Sequence, residues 1–321
     1  MTVRPPRALV TGGAGFIGSH VVDALLARGW SVRVLDDFSN GLQENVSPAA
    51  EICPRDIRDR EAVKEATRGC ARVFHLAALG SVPRSLESPD RTHDVNVAGS
   101  YNVLLAARAA GAERIVFSSS SSVYGDDPRL PKQEDRLGRP LSPYAASKRA
   151  NEIEAEGFAA VFPGPIVGLR YFNVFGPRQR YDSPYAAVIP LFFRAALNGE
   201  SPIFYGDGLQ SRDFTFVEDV AQANLLAAEA DLPPGRAHIY NVGAGGSTSV
   251  LDLWREIARL TGSGQSPHHL PPRPGDVRDS RASVAKAKAE LGFEPAYDLA
   301  RGLSKSLIWY RESLTRHATG G

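Results

Sequence analysis

The chain has 321 residues, 43% hydrophobic and 23% charged, the balance of a globular protein with room for one large core or two ordinary ones. Its 37 lysines and arginines nearly cancel 36 aspartates and glutamates and form no basic block, which excludes an electrostatic footprint for nucleic acid. Cys53 and Cys70 have no metal-type spacing and build no disulfide framework; no apolar run approaches the ~20 residues of a membrane span, and the opening MTVRPPRALVTGG lacks a signal-peptide core, so no metal, no membrane and a cytoplasmic location are expected.

Strand and helix patterns alternate through the first half. Strands are expected at Ala8–Thr11, Ser31–Leu35, Val73–Leu76, Ile115–Phe117 and Ile166–Arg170. Helices are expected at Ser19–Arg28, stopped by Gly29, and at Glu61–Arg68, Val95–Ala110, stopped by Gly111, and Tyr144–Phe158. This alternation predicts an α/β fold with a doubly wound parallel sheet of Rossmann type. The second half is less regular, with Pro- and Gly-rich stretches at Ser201–Gly208, Leu232–Gly235 and Ser263–Gly275. Helices are expected there at Val188–Leu197, Val217–Ala230, Val250–Leu260, Val284–Leu291 and Leu299–Leu314, in a smaller, interleaved α/β substrate lobe. The boundaries expected are 1–172 for a dinucleotide-binding domain, to which 210–242 returns, and 173–209 with 243–321 for the second.

The first strand runs into Gly12-Gly13-Ala14-Gly15-Phe16-Ile17-Gly18. Between a strand and a helix, these glycines permit a tight turn and bring backbone N–H groups to a pyrophosphate at the helix N-terminus. Asp36 ends the second strand eighteen residues past Gly18, where a carboxylate accepts from ribose hydroxyls and repels a 2′-phosphate, so NAD is expected rather than NADP. Asp56 and Ile57 follow a short strand and are placed to flank an adenine, and Leu76, Ala77 and Ala78 end a strand with room for a flat cofactor. Asn96 belongs either to this site or to the packing or capping of its helix.

Tyr144 and Lys148 are four apart, so a helix sets both on one face. A neighbouring ammonium and a cationic nicotinamide both favour the phenolate, so the Tyr144 pKa is expected to fall and the group to act as base toward a substrate hydroxyl. The run Ser118–Ser122 ends the strand Ile115–Phe117, and one of its hydroxyls is expected to orient the same substrate oxygen.

From about residue 7 to residue 312 the chain resembles an extended short-chain dehydrogenase/reductase of the nucleotide-sugar 4-epimerase family, most closely the bacterial UDP-N-acetylglucosamine 4-epimerases. The resemblance rests on TGGAGFIGSH, FHLAALGSVPRS, SSSSVYG, LSPYAASK, LRYFNVFGPRQ, GDGLQSRDFTFVEDV, YNVG and RPGDV. It implies a UDP-sugar substrate and tightly bound NAD, with Ser120, Tyr144 and Lys148 catalytic and Ser121 and Ser122 lining the sugar pocket. Ser118 and Ser119 are then strand-end residues. Asn40, Gly41 and Tyr171 join the expected cofactor site. Arg212 and Arg273 would hold the diphosphate, Asp276 a ribose, and Ile203, Phe204 and Tyr205 a uracil, with Val188 on the same wall. Gly80, Ser81, Asn173, Gln179, Ala187 and Ser280 would shape the space around the sugar's 2-substituent. Ser280 stands where stricter galactose enzymes carry a large aromatic. Where dehydratases carry Asp-Glu, this chain has Ser121-Ser122, which argues against 4,6-dehydration. UDP-glucose/UDP-galactose and UDP-glucuronate 4-epimerisation remain alternatives, as does, from another class, a non-catalytic NAD-sensing regulator. The resemblance also implies a homodimer through a four-helix bundle of Val95–Ala110 and Tyr144–Phe158.

Overall fold

The computed structural model describes residues 6–272 and 277–319. In chain order the elements are β1 Arg7–Thr11, α1 Phe16–Ala27, β2 Ser31–Leu35, β3 Glu51–Cys53, α2 Arg60–Thr67, β4 Arg72–His75, α3 Val82–Glu87, α4 Pro89–His93, α5 Ser100–Ala109, β5 Arg114–Ser120 and α6 Pro143–Ala159. There follow β6 Ile166–Tyr171, β7 Val174–Phe175, α7 Val188–Asn198, β8 Ile203–Tyr205, β9 Ser211–Arg212, β10 Thr215–Phe216 and α8 Val217–Glu229. The chain continues through β11 Ala237–Val242, β12 Thr248–Ser249, α9 Val250–Thr261, β13 His268–Leu270, α10 Ala285–Leu291 and α11 Leu299–Thr319.

Seven parallel strands form the central sheet in the order β11-β6-β5-β4-β1-β2-β3. Strand order reverses between β1 and β4, and in such sheets ligands bind outside the carboxyl ends of the strands at that switch point. The inner strands β1, β4, β5 and β6 are buried on both faces, successive side chains pointing to opposite sides, whereas the edge strand β3 has no fully buried residue. On β1, Ala8 and Val10 pack with Val21, Val22 and Leu25 of α1, whereas Leu9 packs with Val63 of α2 and Val103 of α5. A separate core joins α7, α9 and α11 through Phe192, Phe193, Leu253, Trp254, Ile257 and Leu303, capped by Phe204 of β8.

Three expectations change. The strand expected to stop at Phe117 continues through Ser120, because Ser118, Ser119 and Ser120 stay paired with Leu169, Arg170 and Tyr171 of β6. The helix expected from Val95 opens as a wide π-type turn over Asp94–Gly99 before α5 begins. Ile57 packs directly on this turn, where a Cβ on Gly99 would lie 2.6 Å from the end of its side chain. Ala237–Val242, missing from the expected strands, forms the edge strand of the main sheet beside β6. Among the described residues no helix is long and apolar enough to cross a membrane.

Candidate active site

The turn after β1 is built for close approach. Gly12 has φ of +71°, and a Cβ there would meet the Ala77 backbone N at 2.6 Å, so the loop after β4 lies directly against it. A Cβ on Gly18 would stand 2.0 Å from the Gly12 carbonyl oxygen, which is how α1 seats tightly on the turn. Helix α1 starts at Phe16 and Ile17 with no side-chain cap, which leaves its first-turn amides for an anion. Asp36, buried at the end of β2, accepts from Ala14 N at 2.9 Å and from Phe38 N at 2.9 Å. Burial pushes its carboxyl up, and these two bonds oppose the shift.

An open cleft lies beside the turn. It is lined by Gly12, Gly15, Asp36, Asn40, Gly41, Asp56, Ile57, Leu76, Ala77 and Ala78, all expected from sequence. Asp37, Arg55, Arg58 and Arg91 also line it and were not expected; Arg58 is held by Asp56 at 2.6 Å. Absent side chains at the turn, uncapped amides and a carboxylate at the β2 end fit a dinucleotide. Asn96 is fully buried, its Oδ1 accepting from Leu79 N at 2.7 Å and its Nδ2 donating to Leu79 O and Ser147 Oγ. Its amide therefore braces the loop after β4 against α6, the packing alternative. Tyr171 is buried, and its hydroxyl bonds Asn224.

Strand β5 and helix α6 bring the next group together. Ser142 caps α6 by accepting from Ala145 N at 3.1 Å, and Pro143 occupies its first turn, so the helix starts one residue before Tyr144. Alternation along β5 sends Ser118 and Ser120 to one side and Ser119 to the other. Lys148 Nζ donates to Ser118 O at 2.9 Å and to Ser118 Oγ at 3.2 Å. Ser120 Oγ accepts from Ser122 N at 3.1 Å and from Ser122 Oγ at 3.0 Å, which leaves its own proton to be aimed at the neighbouring Tyr144 phenol. Ser119 Oγ instead donates to Glu152 Oε1 at 2.6 Å, and Glu152 is clamped by Arg170 at 2.8 and 2.9 Å. Ser118 is thus more than a strand-end residue: it holds the lysine. Ser121 follows in the short turn Ser121–Tyr124.

One electrostatic expectation is not met by these residues alone. Burial pushes the Tyr144 phenol up, and the Ser120 hydroxyl is the group that pulls against it. Lys148, 3% exposed, is itself pushed down to about 8 by burial. Desolvation is the largest cause for both groups, and neither shift draws on the other group.

A second cleft, of about 750 Å³, is lined by Asn173, Gln179, Ala187, Val188, Ile203, Tyr205 and Arg212, seven of the expected substrate residues. Gln210 and Phe214, which lie in the GDGLQSRDFTFVEDV stretch but were given no role, line it as well, as does Val250, which carried no motif signal. Phe204 does not: the period of two turns it into the core, where it stacks on Phe192 at 5.3 Å, so only Ile203 and Tyr205 of β8 face the cleft. Gly80 is exposed with open space beside it, and Ser81 caps α3. Ser280 N donates to Ser211 O at 3.1 Å, beside Arg212. Arg273 and Asp276 lie outside the described residues.

The model of the NAD dependent epimerase/dehydratase family matches residues 8–243. The UDP-glucose 4-epimerase of Mycolicibacterium smegmatis is 40% identical over 312 residues, covering 95% of this chain and 98% of that protein. The solved UDP-N-acetylglucosamine 4-epimerase from Methanobrevibacter ruminantium, in complex with UDP-N-acetylmuramic acid, superposes with a TM-score of 0.91 at 39% identity, over 97% of this chain and 100% of that one. The Thermus thermophilus UDP-glucose 4-epimerase in complex with NAD gives a TM-score of 0.88 at 38% identity, over 95% and 99% of the two chains. The chain is therefore an NAD-dependent enzyme with a Rossmann-type sheet, and it belongs to the NAD dependent epimerase/dehydratase family of extended short-chain dehydrogenases/reductases.

Proposed function

We propose that this epimerase inverts C4 of a UDP-sugar and that UDP-N-acetylglucosamine and UDP-N-acetylgalactosamine are its preferred pair. The observation that carries the sugar preference is the makeup of the second cleft. Its Gln179 donates Nε2 to Val174 O at 2.9 Å, which fixes the amide's orientation and leaves Oε1 buried with no partner among the described residues. Ala187, and Ser280, whose N–H bonds Ser211 O beside Arg212, are small enough to admit the acetyl group. UDP-glucose/UDP-galactose is the second reading, supported by the name of the 40% identical M. smegmatis relative.

Tyr144 is the proposed base at the C4 hydroxyl, oriented by Ser120 and neighboured by Lys148. NAD, when bound, supplies a hydride acceptor and donor for C4 and a positive charge that favours the phenolate. Gly12, Gly15, Phe16, Ile17 and Gly18 would hold its pyrophosphate, and Asp36 its adenosine ribose. The 4-keto sugar turns about its diphosphate, which Arg212 and Arg273 would grip, and presents its other face; Tyr144 then returns the proton. We further propose the division into lobes 1–172 with 210–242, and 173–209 with 243–321. The chain would pair with a second copy through α5 and α6, on which Tyr101 and Ile153 are exposed apolar side chains.

Tyr144→Phe tests the chemistry. Turnover of UDP-sugars should fall by at least about a thousandfold, with NAD still bound by absorbance and fluorescence. Wild-type-like rates in that variant would overturn the assignment.

A further inference from the structure

A fully buried carboxylate, Asp213, sits next to Arg212, outside every role assigned above. Its Oδ1 accepts from Ala244 N at 2.9 Å. Its Oδ2 accepts from Ala282 N at 2.9 Å and Gly245 N at 3.1 Å. Its own carbonyl accepts from Asn173 Nδ2 at 3.2 Å. One residue thus joins the strand carrying Arg212, the turn after β11, the 278–282 segment carrying Ser280, and the asparagine that lines the second cleft. The contact leaves no slack: a Cβ on Gly243 would lie 2.9 Å from Asp213 Oδ2 and 2.6 Å from the Ala282 Cβ.

The geometry points to Asp213 as a positioning residue that sets the spacing between the diphosphate grip at Arg212 and the sugar wall formed by Asn173 and Ser280. Only an ionised carboxylate matches this cradle, because every group around it is a donor. An asparagine presents an NH₂ to one of those N–H groups, so the 278–282 segment must move away. Ser280 moves with it, away from Asn173, which stays on the Asp213 backbone carbonyl, while Tyr144, Lys148 and the glycine turn stand on other elements. The inference rests on the sugar reading above and deepens it: Asp213 governs how strictly the sugar's 2-substituent is sensed, without touching the substrate.

The test uses the full-length protein with its NAD and two substitutions, Asp213→Asn and Gly243→Ala. The second leaves the carboxylate in place and pushes on it and on Ala282 from the same side. Steady-state kinetics are measured with UDP-N-acetylglucosamine and UDP-glucose, alongside NAD content and thermal melting. Both variants should raise KM for UDP-N-acetylglucosamine by about tenfold or more with kcat changed by less than about threefold, keep NAD, and shift the preference between the two sugars. Equal loss of kcat for both sugars with unchanged KM, or an unchanged sugar ratio in a folded, NAD-loaded Gly243→Ala protein, overturns the inference. A wild-type protein that epimerises neither sugar would instead overturn the functional reading on which it stands.

Discussion

Replacing Glu152 with Ala tests whether the active-site strand and helix are locked together from beneath. Glu152 and Arg170 have side chains only 1% and 2% exposed and pair at 2.8 Å. The carboxylate also takes Ser119 Oγ at 2.6 Å and Arg149 Nη1 at 2.8 Å. Removing it leaves a buried guanidinium whose remaining bonds run to the Tyr124 hydroxyl and Glu134 O, both at 3.0 Å. Breaking a buried pair from one side costs about 3–5 kcal/mol, so urea denaturation should show a loss of that size. Replacing both partners with apolar residues of similar volume should cost much less, because no charge is stranded. The pH dependence has a definite sign. Burial pushes the Glu152 carboxyl up, but the bonds from Arg170 and Ser119 outweigh it and hold the group below its ordinary 4.5. Its stabilisation is complete above about pH 4.5 and is lost as pH falls through the lower folded value, so the gap between wild type and variant should shrink in acid. A loss below about 1 kcal/mol, or a gap that widens on acidification, would refute the reasoning.

Two further outcomes follow from the same geometry. Ser280→Tyr should lower kcat/KM for UDP-N-acetylglucosamine by about tenfold or more while sparing UDP-glucose, measured by coupled assay; equal losses for both sugars would remove Ser280 from the sugar wall. Lys148→Met should abolish most turnover yet cost the NAD-free protein less than about 1 kcal/mol at neutral pH, because a desolvated charge is replaced by a buried apolar chain. From about pH 8 to 10.5 the unfolded lysine holds a proton that the folded one has released, so the stability of wild type relative to that variant should rise across this window and should be lowest and nearly flat below it, where both states carry the proton; melting curves from about pH 7 to 10.5 check the sign.

The glycine turn, Asp36 and the pair Tyr144–Lys148 were legible in the sequence because each is a local spacing, and local spacing decides which way a helix or turn points a group. The alternation of strand and helix pointed to the parallel sheet for the same reason. What stayed hidden depends on partners distant in sequence. Phe117 looked like the end of β5 because serines are poor strand formers, yet Ser119 is buried against Glu152 and Arg170. Strand β11, AHIYNV, carries His238 and Asn241, which read as polar until Pro233, Tyr124 and Lys132 supply their bonds. The π-type opening before α5 has the apolar spacing of an ordinary helix, and only the approach of Ile57 to Gly99 distinguishes it. Asp213 lay inside a recognised motif, but its role depends on backbone N–H groups from two other segments.

The most direct test of the central claim is proton NMR of the purified protein, with no added cofactor, incubated with UDP-N-acetylglucosamine in D₂O. The expected product is UDP-N-acetylgalactosamine that retains protium at C4, since the hydrogen leaves and returns without meeting solvent. Deuterium at C4, or no epimer from this sugar, from UDP-glucose or from UDP-glucuronate even with NAD supplied, would contradict it.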